Sequence, residues 1–229
     1  MSKIHVQFLQ YIRRLMKDAA FRTPAARYLG PRYPYNFRPG QLAFLVEMLD
    51  GIGAIAGSIV EVGCFTGATT IFLSEHLRDQ GRRRRYVAID TFAGFLHDDV
   101  EHELNVRGKT ADRELFATGF VLNNRSWVRR SLDLSGHSDV ELVEGDAATV
   151  DYRHFAPIAF ALIDVDLYRP VAAALREIAP CMSTGGRIVV DDCRPDHAYD
   201  GAFAAYTEWC RDSHHRPEIV HGKLGVIRF

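Results

Sequence analysis

The segment SIVEVGCFTGATT, residues 58–70, decides the fold class of this chain. Its first five residues are a short apolar run typical of a buried strand. The glycines at 63 and 67 predict a turn, and the turn leads into a stretch with helical spacing at 68–79. A strand, a glycine turn and a helix in this order begin a βαβ unit, in which the next strand lies parallel to the first. The segment therefore predicts an α/β protein.

The alternation of strand and helix continues along the chain. Apolar runs bounded by turn residues predict further strands at 86–89, 140–143, 158–163 and 187–190. Helical spacing of apolar residues predicts helices at 4–18, 41–50, 170–179 and 202–211. The last segment, 218–229, predicts two short strands joined by a turn at 222–225. Together these elements predict a doubly wound, mostly parallel seven-stranded sheet with a C-terminal antiparallel hairpin.

The chain has 229 residues, which suits one compact domain. We expect residues 1–57 to form an N-terminal helical cap and residues 58–229 to form the ligand-binding domain. The stretch at about 92–130 is rich in charge, and we predict that it is a lid insertion over the ligand site. Its segment 93–113 reads as a loop without clear structure, and loops of that length are more often functional or disordered than inert.

Composition and charge exclude several classes of protein. Lys plus Arg number 28 and Asp plus Glu number 29, a net charge of −1 that argues against a strongly basic nucleic-acid binder. No apolar run approaches the ~18 residues of a membrane span, and the first residues show no signal-peptide core. We therefore expect a cytoplasmic protein with neither nucleic acid nor membrane as partner. The amphipathic segment 4–18 predicts packing on another subunit in a homo-oligomer.

Several acidic residues follow predicted strands, where ligands bind in open α/β sheets. Glu61 precedes the glycine turn and favours a ligand with a cationic group. The turn at 63–67 does not match the dinucleotide fingerprint, which argues against a nicotinamide dehydrogenase. Asp90 is placed to accept hydrogen bonds from ribose hydroxyls, and Asp146 from an adenine amino group. Aspartates at strand ends also act as helix caps, so both interpretations stay open.

Four carboxylates end the fourth and fifth predicted strands. Asp164 and Asp166 follow one apolar run, and Asp191 and Asp192 follow the next. Neighbouring strands lie roughly 4.8 Å apart, and carboxylates so close together repel unless they are protonated or bridged by a cation. Oxygen ligands favour a hard ion such as Mg²⁺. The alternative is that these residues are helix caps with one salt bridge.

Four motifs in this order resemble class I S-adenosylmethionine-dependent methyltransferases: EVGCFTG at 61–67, AIDTFAGF at 88–95, IDVDLY at 163–168 and GGRIVVDD at 185–192. Within that group the chain is most similar to the metal-dependent sugar O-methyltransferases of the macrocin O-methyltransferase type, which act in antibiotic biosynthesis. The resemblance covers about residues 35–229. It implies a Rossmann-like methyltransferase fold.

The resemblance also implies roles for particular residues. It implies that S-adenosylmethionine is held by Glu61, Gly63, Cys64, Thr66, Gly67, Asp90, Thr91, Asp146 and Asp164. It implies that Mg²⁺ or another divalent cation is bound by Asp164, Asp191 and Asp192, with Asp166 as the general base. His197 and Tyr168 lie near these motifs and are candidates either for substrate contact or for packing.

The expected function is therefore metal-dependent methyl transfer to a hydroxyl of a sugar or other small natural product. A bound divalent ion lowers the pKa of a coordinated hydroxyl, and a nearby carboxylate then accepts the proton. One alternative is a catechol- or phenol-type O-methyltransferase. Another is a non-catalytic protein that binds S-adenosylmethionine, for which a cage of carboxylates has no use.

Overall fold

The computed structural model describes residues 3–24, 26 and 32–229. Contacts within the chain divide it into two compact units, with the boundary between Asn36 and Phe37. The two units are described separately below.

In the first unit, helix α1 (Lys3–Phe21) forms where helical spacing predicted it. Its side chains Phe8, Tyr11, Ile12 and Leu15 recur at three- and four-residue intervals, so they share one face, and all four are exposed. The homo-oligomer expected from this segment stays a prediction.

The second unit is built on one sheet. Its strands are β1 (Ser58–Val62), β2 (Tyr86–Asp90), β3 (Glu141–Glu144), β4 (Ile158–Ile163), β5 (Met182–Val190), β6 (Glu218–Val220) and β7 (Leu224–Arg228). Their order across the sheet is β3-β2-β1-β4-β5-β7-β6. Strands β1 to β5 are parallel, whereas β7 is antiparallel to both β5 and β6. The predicted fold class, a mostly parallel seven-stranded sheet with a C-terminal antiparallel hairpin, is confirmed.

One helix precedes the first strand of the sheet, and the other helices of this unit lie between strands. The helices are α2 (Pro39–Gly51), α3 (Ala68–Asp79), α4 (His97–Asn105), α5 (Arg113–Thr118), α6 (Arg125–Leu134), α7 (Tyr168–Ile178) and α8 (Gly201–Asp212). Short 3₁₀ turns lie at Thr110–Asp112, Tyr152–Phe155 and Ala179–Cys181. Within the described ranges, no helix is long and apolar enough to cross a membrane.

The core lies on both faces of the central strands. Every residue of β4 is buried, because a parallel strand in the middle of a doubly wound sheet is covered on both sides. Helix α7 contributes Val171, Ala174, Leu175 and Ile178, which are buried and spaced so that they form one apolar face. This core holds the carboxyl ends of the central strands in fixed positions.

Helix α2 belongs to the same compact unit as the sheet, although it falls within the cap predicted at 1–57. Its residue Leu45 is fully buried. Arg84, directly before β2, donates hydrogen bonds to the carbonyl oxygens of Ile52 and Ile55 at 3.0 and 2.6 Å. These bonds satisfy carbonyls that follow the end of α2 and fasten it to the sheet.

The segment 93–113 is not an irregular loop, as was expected from its charge. Helix α4 forms there because Asp98 and Asp99 lie in its first turn, where carboxylates interact favourably with the helix dipole. Its residue Leu104 is buried together with Phe116 of α5. The helix is amphipathic, but its apolar face is narrow, so the many charged residues of the segment made it look like a loop. The role of this region as a lid stays a prediction.

Candidate active site

Four central strands end at one edge of the sheet, and each is followed by a non-glycine residue in the left-handed backbone conformation. Phe65 follows β1, Phe92 follows β2, Asp166 follows β4 and Asp192 follows β5, with φ of 44°, 53°, 61° and 54°. This conformation is costly for most residues, and such residues cluster at functional sites. The strand order also reverses between β1 and β4, the position where open α/β sheets bind ligands. The candidate site therefore lies at this edge.

The glycine turn after β1 has a structural reason besides room for a ligand. Gly63 has φ of 91°, and a Cβ there would lie 1.9 Å from the carbonyl oxygen of Asp164. Gly67 is also left-handed and precedes the first residue of α3. Cys64 is buried, which raises the pKa of its thiol, whereas Thr66 is exposed. The contacts of these residues with a cofactor stay predictions.

Glu61 is a buried carboxyl group at the end of β1, with 2% of its surface exposed. Its Oε2 accepts hydrogen bonds from Thr70 Oγ1 and from the Tyr86 hydroxyl, both at 2.7 Å. Burial raises the pKa of Glu61 to about 7, although the two hydrogen bonds act in the opposite direction. A nearby positive charge would lower this pKa again, so the environment of Glu61 favours a cationic ligand.

Asp90 and Thr91 hold two loops of the site in place. Asp90 accepts a hydrogen bond from the Phe65 N–H at 2.8 Å through Oδ2, and one from the Phe92 N–H at 2.7 Å through Oδ1. Thr91 Oγ1 donates to the Gly94 carbonyl at 2.7 Å. This function of fastening the left-handed residues was not predicted from the sequence. The predicted contacts of both residues with the cofactor stay predictions.

Asp146 follows β3 and stabilises the turn after that strand. Its Oδ1 accepts a hydrogen bond from the Ala148 N–H at 2.9 Å, and its carbonyl oxygen accepts one from the Thr149 N–H at 2.9 Å. The helix-cap alternative is not what forms: residues 147–149 are a turn, and the 3₁₀ turn that follows is capped by Asp151. A contact with adenine stays a prediction.

The four aspartates that follow β4 and β5 come together. Burial raises the pKa of Asp164, and Asp191 and Asp166 raise it further by repulsion. Burial likewise raises the pKa of Asp166, and repulsion from Asp192 and Asp191 raises it further. Asp191 is 3% exposed, and burial raises its pKa too. We call these four residues the aspartate cluster.

Lys223 also belongs to this site, although it was not among the residues predicted from the sequence. Its Nζ lies 2.6 Å from Asp191 Oδ2 and 3.1 Å from Asp192 Oδ1. Strand register explains the contact: Val190 of β5 pairs with Gly225 of β7, so the turn before β7 faces the residues that follow β5. Burial alone would lower the pKa of Lys223, but the two aspartates raise it above its usual value. Lys223 is therefore a cation.

The donor atoms of the aspartate cluster suit a hard divalent cation, because all of them are carboxylate oxygens. Within the described residues, Asp191 Oδ1 is buried without a hydrogen-bond partner. No group of three or more His, Cys, Asp or Glu side chains in that part of the chain is arranged as a metal site. Lys223 already holds one oxygen each of Asp191 and Asp192. The chemistry of the donors thus fits a cation, and two of the three predicted metal ligands are paired with an ammonium group.

Aromatic side chains pack against one another near the cluster, and one of them, Tyr199, is close enough to Asp166 and Asp192 for their charges to act on its hydroxyl. The ring of Tyr199 lies 6.0 Å from that of Phe95 and 6.4 Å from that of Phe120, which lies 5.1 Å from that of Phe65. Burial and the charge of Asp166 raise the pKa of Tyr199 to about 12. We call these four rings the aromatic wall. They come from separate loops, so no local sequence pattern indicated them.

His197 and Tyr168 both have protein partners. His197 Nε2 lies 3.3 Å from the Asp192 carbonyl oxygen, and its Nδ1 lies 3.2 Å from the Tyr199 N–H. The Tyr168 hydroxyl is hydrogen-bonded to the Glu208 carboxylate. These contacts position the loop after β5 and the start of α7, which favours the packing interpretation of both residues.

Helix α4 is fastened to the site by an ion-pair network. Glu103 is fully buried and accepts hydrogen bonds from the Tyr168 N–H and from Arg107 Nε, both at 2.7 Å. Arg107 and Lys109 each donate to a carboxylate oxygen of Asp200 at 2.6 Å. The position of α4 is thus coupled to the loop that carries the aspartates of β4.

Glu103→Gln is expected to lower the free energy of unfolding by about 3 kcal/mol, because Arg107 loses a buried charged partner. Urea denaturation measures this change. The matched control is Glu101→Gln on the same helix, whose ion pair with Arg113 at 3.7 Å is largely exposed and contributes at most about 1 kcal/mol. Equal losses in the two variants would show that the network does not anchor α4.

A doubly wound sheet with an acid, a glycine turn and a helix start at its switch point is the architecture of class I S-adenosylmethionine-dependent methyltransferases. Residues 60–193 match a family model described as a methyltransferase domain, and the chain belongs to this family.

Three relatives illustrate the similarity. The 8-demethyl-8-(2,3-dimethoxy-alpha-L-rhamnosyl)-tetracenomycin-C 4'-O-methyltransferase of Streptomyces olivaceus is 29% identical over 180 residues, which cover 72% of this chain and 66% of that enzyme. The structure of the O-methyltransferase NovP matches with a TM-score of 0.68 and 19% identity, over 82% of this chain and 78% of NovP. The calicheamicin methyltransferase CalS11 matches with a TM-score of 0.67 and 21% identity, over 100% of this chain and 94% of CalS11. At these identities the two structures establish the fold.

Proposed function

We propose that this protein transfers the methyl group of S-adenosylmethionine to a hydroxyl oxygen of a sugar or another small natural product, with a divalent cation such as Mg²⁺ as second cofactor. The observation that carries the proposal is the aspartate cluster, which lies beside the glycine turn at the switch point of the sheet. The relative from Streptomyces olivaceus, by its name a 4'-O-methyltransferase of a rhamnosyl compound, supports a sugar as acceptor.

Residues around β1 to β3 would bind the methyl donor. S-adenosylmethionine, when bound, supplies a methyl group on a positively charged sulfur. Glu61 provides a buried carboxylate for the cationic amine of the methionine part, and Asp90 accepts hydrogen bonds from the ribose. Asp146 would accept a hydrogen bond from the adenine amino group. The left-handed glycines at 63 and 67 let the backbone between β1 and α3 approach the ligand closely.

Residues around β4 and β5 would bind and deprotonate the acceptor. A divalent cation, when held by Asp164, Asp191 and Asp192, would lower the pKa of an adjacent hydroxyl. Asp166 accepts the hydroxyl proton on its carboxylate. Burial raises the pKa of Asp166, and a higher pKa makes its ionised form a stronger base.

The aromatic wall also favours a second candidate acceptor, a phenol or catechol. The rings of Phe65, Phe95, Phe120 and Tyr199 offer edge and face contacts to an aromatic substrate. Asp166 is the proposed base for either acceptor, so the two candidates are distinguished by comparing methyl transfer to glycosides and to catechols.

The proposal is tested by binding and by turnover with the same purified chain. Calorimetry is expected to show binding of S-adenosylhomocysteine, the demethylated cofactor, in the micromolar range. With labelled S-adenosylmethionine, label is expected in rhamnosides and other glycosides, and treatment with EDTA should stop its transfer until Mg²⁺ is added. Circular dichroism should stay unchanged throughout, because the core is formed without the ion.

Three outcomes would contradict parts of this proposal. Methyl transfer to catechols with none to glycosides would show that the acceptor is a phenol and not a sugar. Turnover that survives exhaustive chelation would show that the reaction does not need a divalent cation. Binding of a nicotinamide cofactor with no heat from S-adenosylhomocysteine would overturn the methyl-transfer function itself.

A further inference from the structure

Lys223 provides a positive charge inside the acidic site. It is the third residue of the connection between β6 and β7, and its ammonium group contacts the two aspartates that follow β5. Its side chain is 18% exposed, and that of Asp191 is 3% exposed, so solvent screens this pair only weakly. The lysine therefore neutralises part of the negative charge of the aspartate cluster in the folded protein.

The backbone holds this lysine firmly in place. The Lys223 carbonyl oxygen accepts a hydrogen bond from the Cys193 N–H at 2.7 Å, and the Lys223 N–H donates to the Val220 carbonyl at 3.2 Å. One of these bonds joins the turn directly to the loop that carries Asp191 and Asp192. The ammonium group is thus directed at the cluster by strand register.

The Lys223 ammonium has a second partner besides the aspartates. Its Nζ lies 5.2 Å from the centre of the Phe37 ring, within the range of a cation–π interaction. The Phe37 ring therefore offers the ammonium group a contact that does not depend on the two carboxylates. Asp191 Oδ1 is buried and has no hydrogen-bond partner among the described residues, so Lys223 leaves this carboxylate oxygen available to another cation.

We propose that Lys223 is a resident cation that competes with the divalent ion for Asp191 and Asp192, and so sets the metal affinity of the site. The proposal rests on the divalent-cation part of the proposed function. Lys223 occupies Asp191 Oδ2 and Asp192 Oδ1, and its charge repels a second cation at the same cluster. Metal binding then requires the ammonium group to give up these two oxygens, and the Phe37 ring remains as its other partner.

The direct test measures Mn²⁺ binding to the full chain by calorimetry. Lys223→Met removes the charge with little change in side-chain length and is expected to bind Mn²⁺ at least tenfold more tightly than the wild-type chain. Lys223→Arg keeps the charge and should stay within about threefold of wild type. Lys17→Met, which removes a lysine charge from α1, is the matched control and should change nothing. Unchanged or weaker Mn²⁺ binding in Lys223→Met, or no binding by any variant, would overturn the proposal.

A second measurement uses the wild-type chain, so it tests whether metal displaces Lys223 from the two aspartates even when Lys223→Met does not fold. Acetylation by a small reagent is followed at each lysine by mass spectrometry, with and without saturating Mg²⁺. Release of Lys223 from the two aspartates is expected to raise its acetylation rate several-fold, whereas Lys17 keeps its rate. An unchanged or lower rate at Lys223 would contradict the proposal. Calorimetry with S-adenosylhomocysteine, run in parallel, shows separately whether the methyltransferase function holds.

Discussion

Asp166→Asn is expected to lower kcat by at least about a hundredfold, because the amide cannot accept the proton that leaves the acceptor hydroxyl. The backbone conformation should survive, since asparagine tolerates the left-handed region in which Asp166 lies, at φ of 61°. Binding of S-adenosylhomocysteine and of Mn²⁺ should be preserved, because neither depends on a base. Steady-state kinetics and calorimetry on the same preparation measure both properties.

The structure also predicts that this inactive variant is more stable than the wild-type chain at neutral pH. Burial and the neighbouring Asp192 disfavour the ionised form of Asp166, and an uncharged amide removes that cost. Lower activity with higher stability distinguishes a lost base from a damaged fold.

Asp196→Asn is the matched control for this prediction. Asp196 also has φ of 61°, but it is exposed in the loop that follows β5. Its replacement should leave kcat and the unfolding midpoint close to wild type. An Asp166→Asn variant that retains normal turnover would show that another group accepts the proton.

Glu61→Gln is expected to weaken binding of S-adenosylhomocysteine roughly 10- to 100-fold, because a charged hydrogen bond to the ligand's amine is worth about 1.5–3 kcal/mol. The pKa of Glu61 is about 7, so wild-type affinity should fall as the pH drops below that value and the carboxylate is protonated. Affinity of the glutamine variant should lack this dependence. Calorimetry across the pH range measures both.

The same substitution is expected to stabilise the ligand-free protein above pH 7. The folded-state pKa of about 7 lies above the ordinary value of 4.5, so the folded protein binds the extra proton between these two pH values. The contribution of Glu61 to stability therefore falls as the pH rises through this window, and the full cost, about 3 kcal/mol, is present above pH 7. Glutamine can accept the hydrogen bonds from Thr70 and Tyr86 without that cost.

Glu144→Gln serves as the control for both effects. Glu144 ends β3 at the same edge of the sheet but is exposed. Its replacement should change neither the affinity for S-adenosylhomocysteine nor the pH dependence of unfolding in urea. A Glu61→Gln variant that binds normally, or one that is less stable above pH 7, would show that Glu61 is a structural residue.

Local patterns of the sequence were sufficient to predict the layers of the fold. The runs 58–62 and 158–163 became β1 and β4 with the predicted bounds, because a strand buried on both faces is made mostly of apolar residues. The positions of Glu61, Asp164 and Asp191 at one edge also followed, since parallel strands that alternate with helices all end on the same side of the sheet.

Helix α4 was not predicted from the sequence, because its stability depends on tertiary contacts. Glu103 reads as a surface charge within the segment 93–113, yet it is fully buried. Its partners Arg107 and Tyr168 come from the end of the same helix region and from the start of α7. Arg107 lies four residues after Glu103, a spacing that is visible in the sequence. The hydrogen bond from the Tyr168 N–H depends on how α4 packs against α7, so the sequence does not reveal that Glu103 is buried.

The chemistry of the strand-end residues was decided only by tertiary structure. Gly63 must be glycine because the backbone of Asp164 lies against it, and the Asp90 carboxylate fastens two loops besides its predicted contact with the cofactor. Lys223 was visible in the sequence as part of a turn. Its contact with Asp191 depends on the register between β5 and β7, which sets which residues face each other across an antiparallel pair. Composition and spacing thus determined where the acidic groups lie, and strand pairing determined which cation they meet.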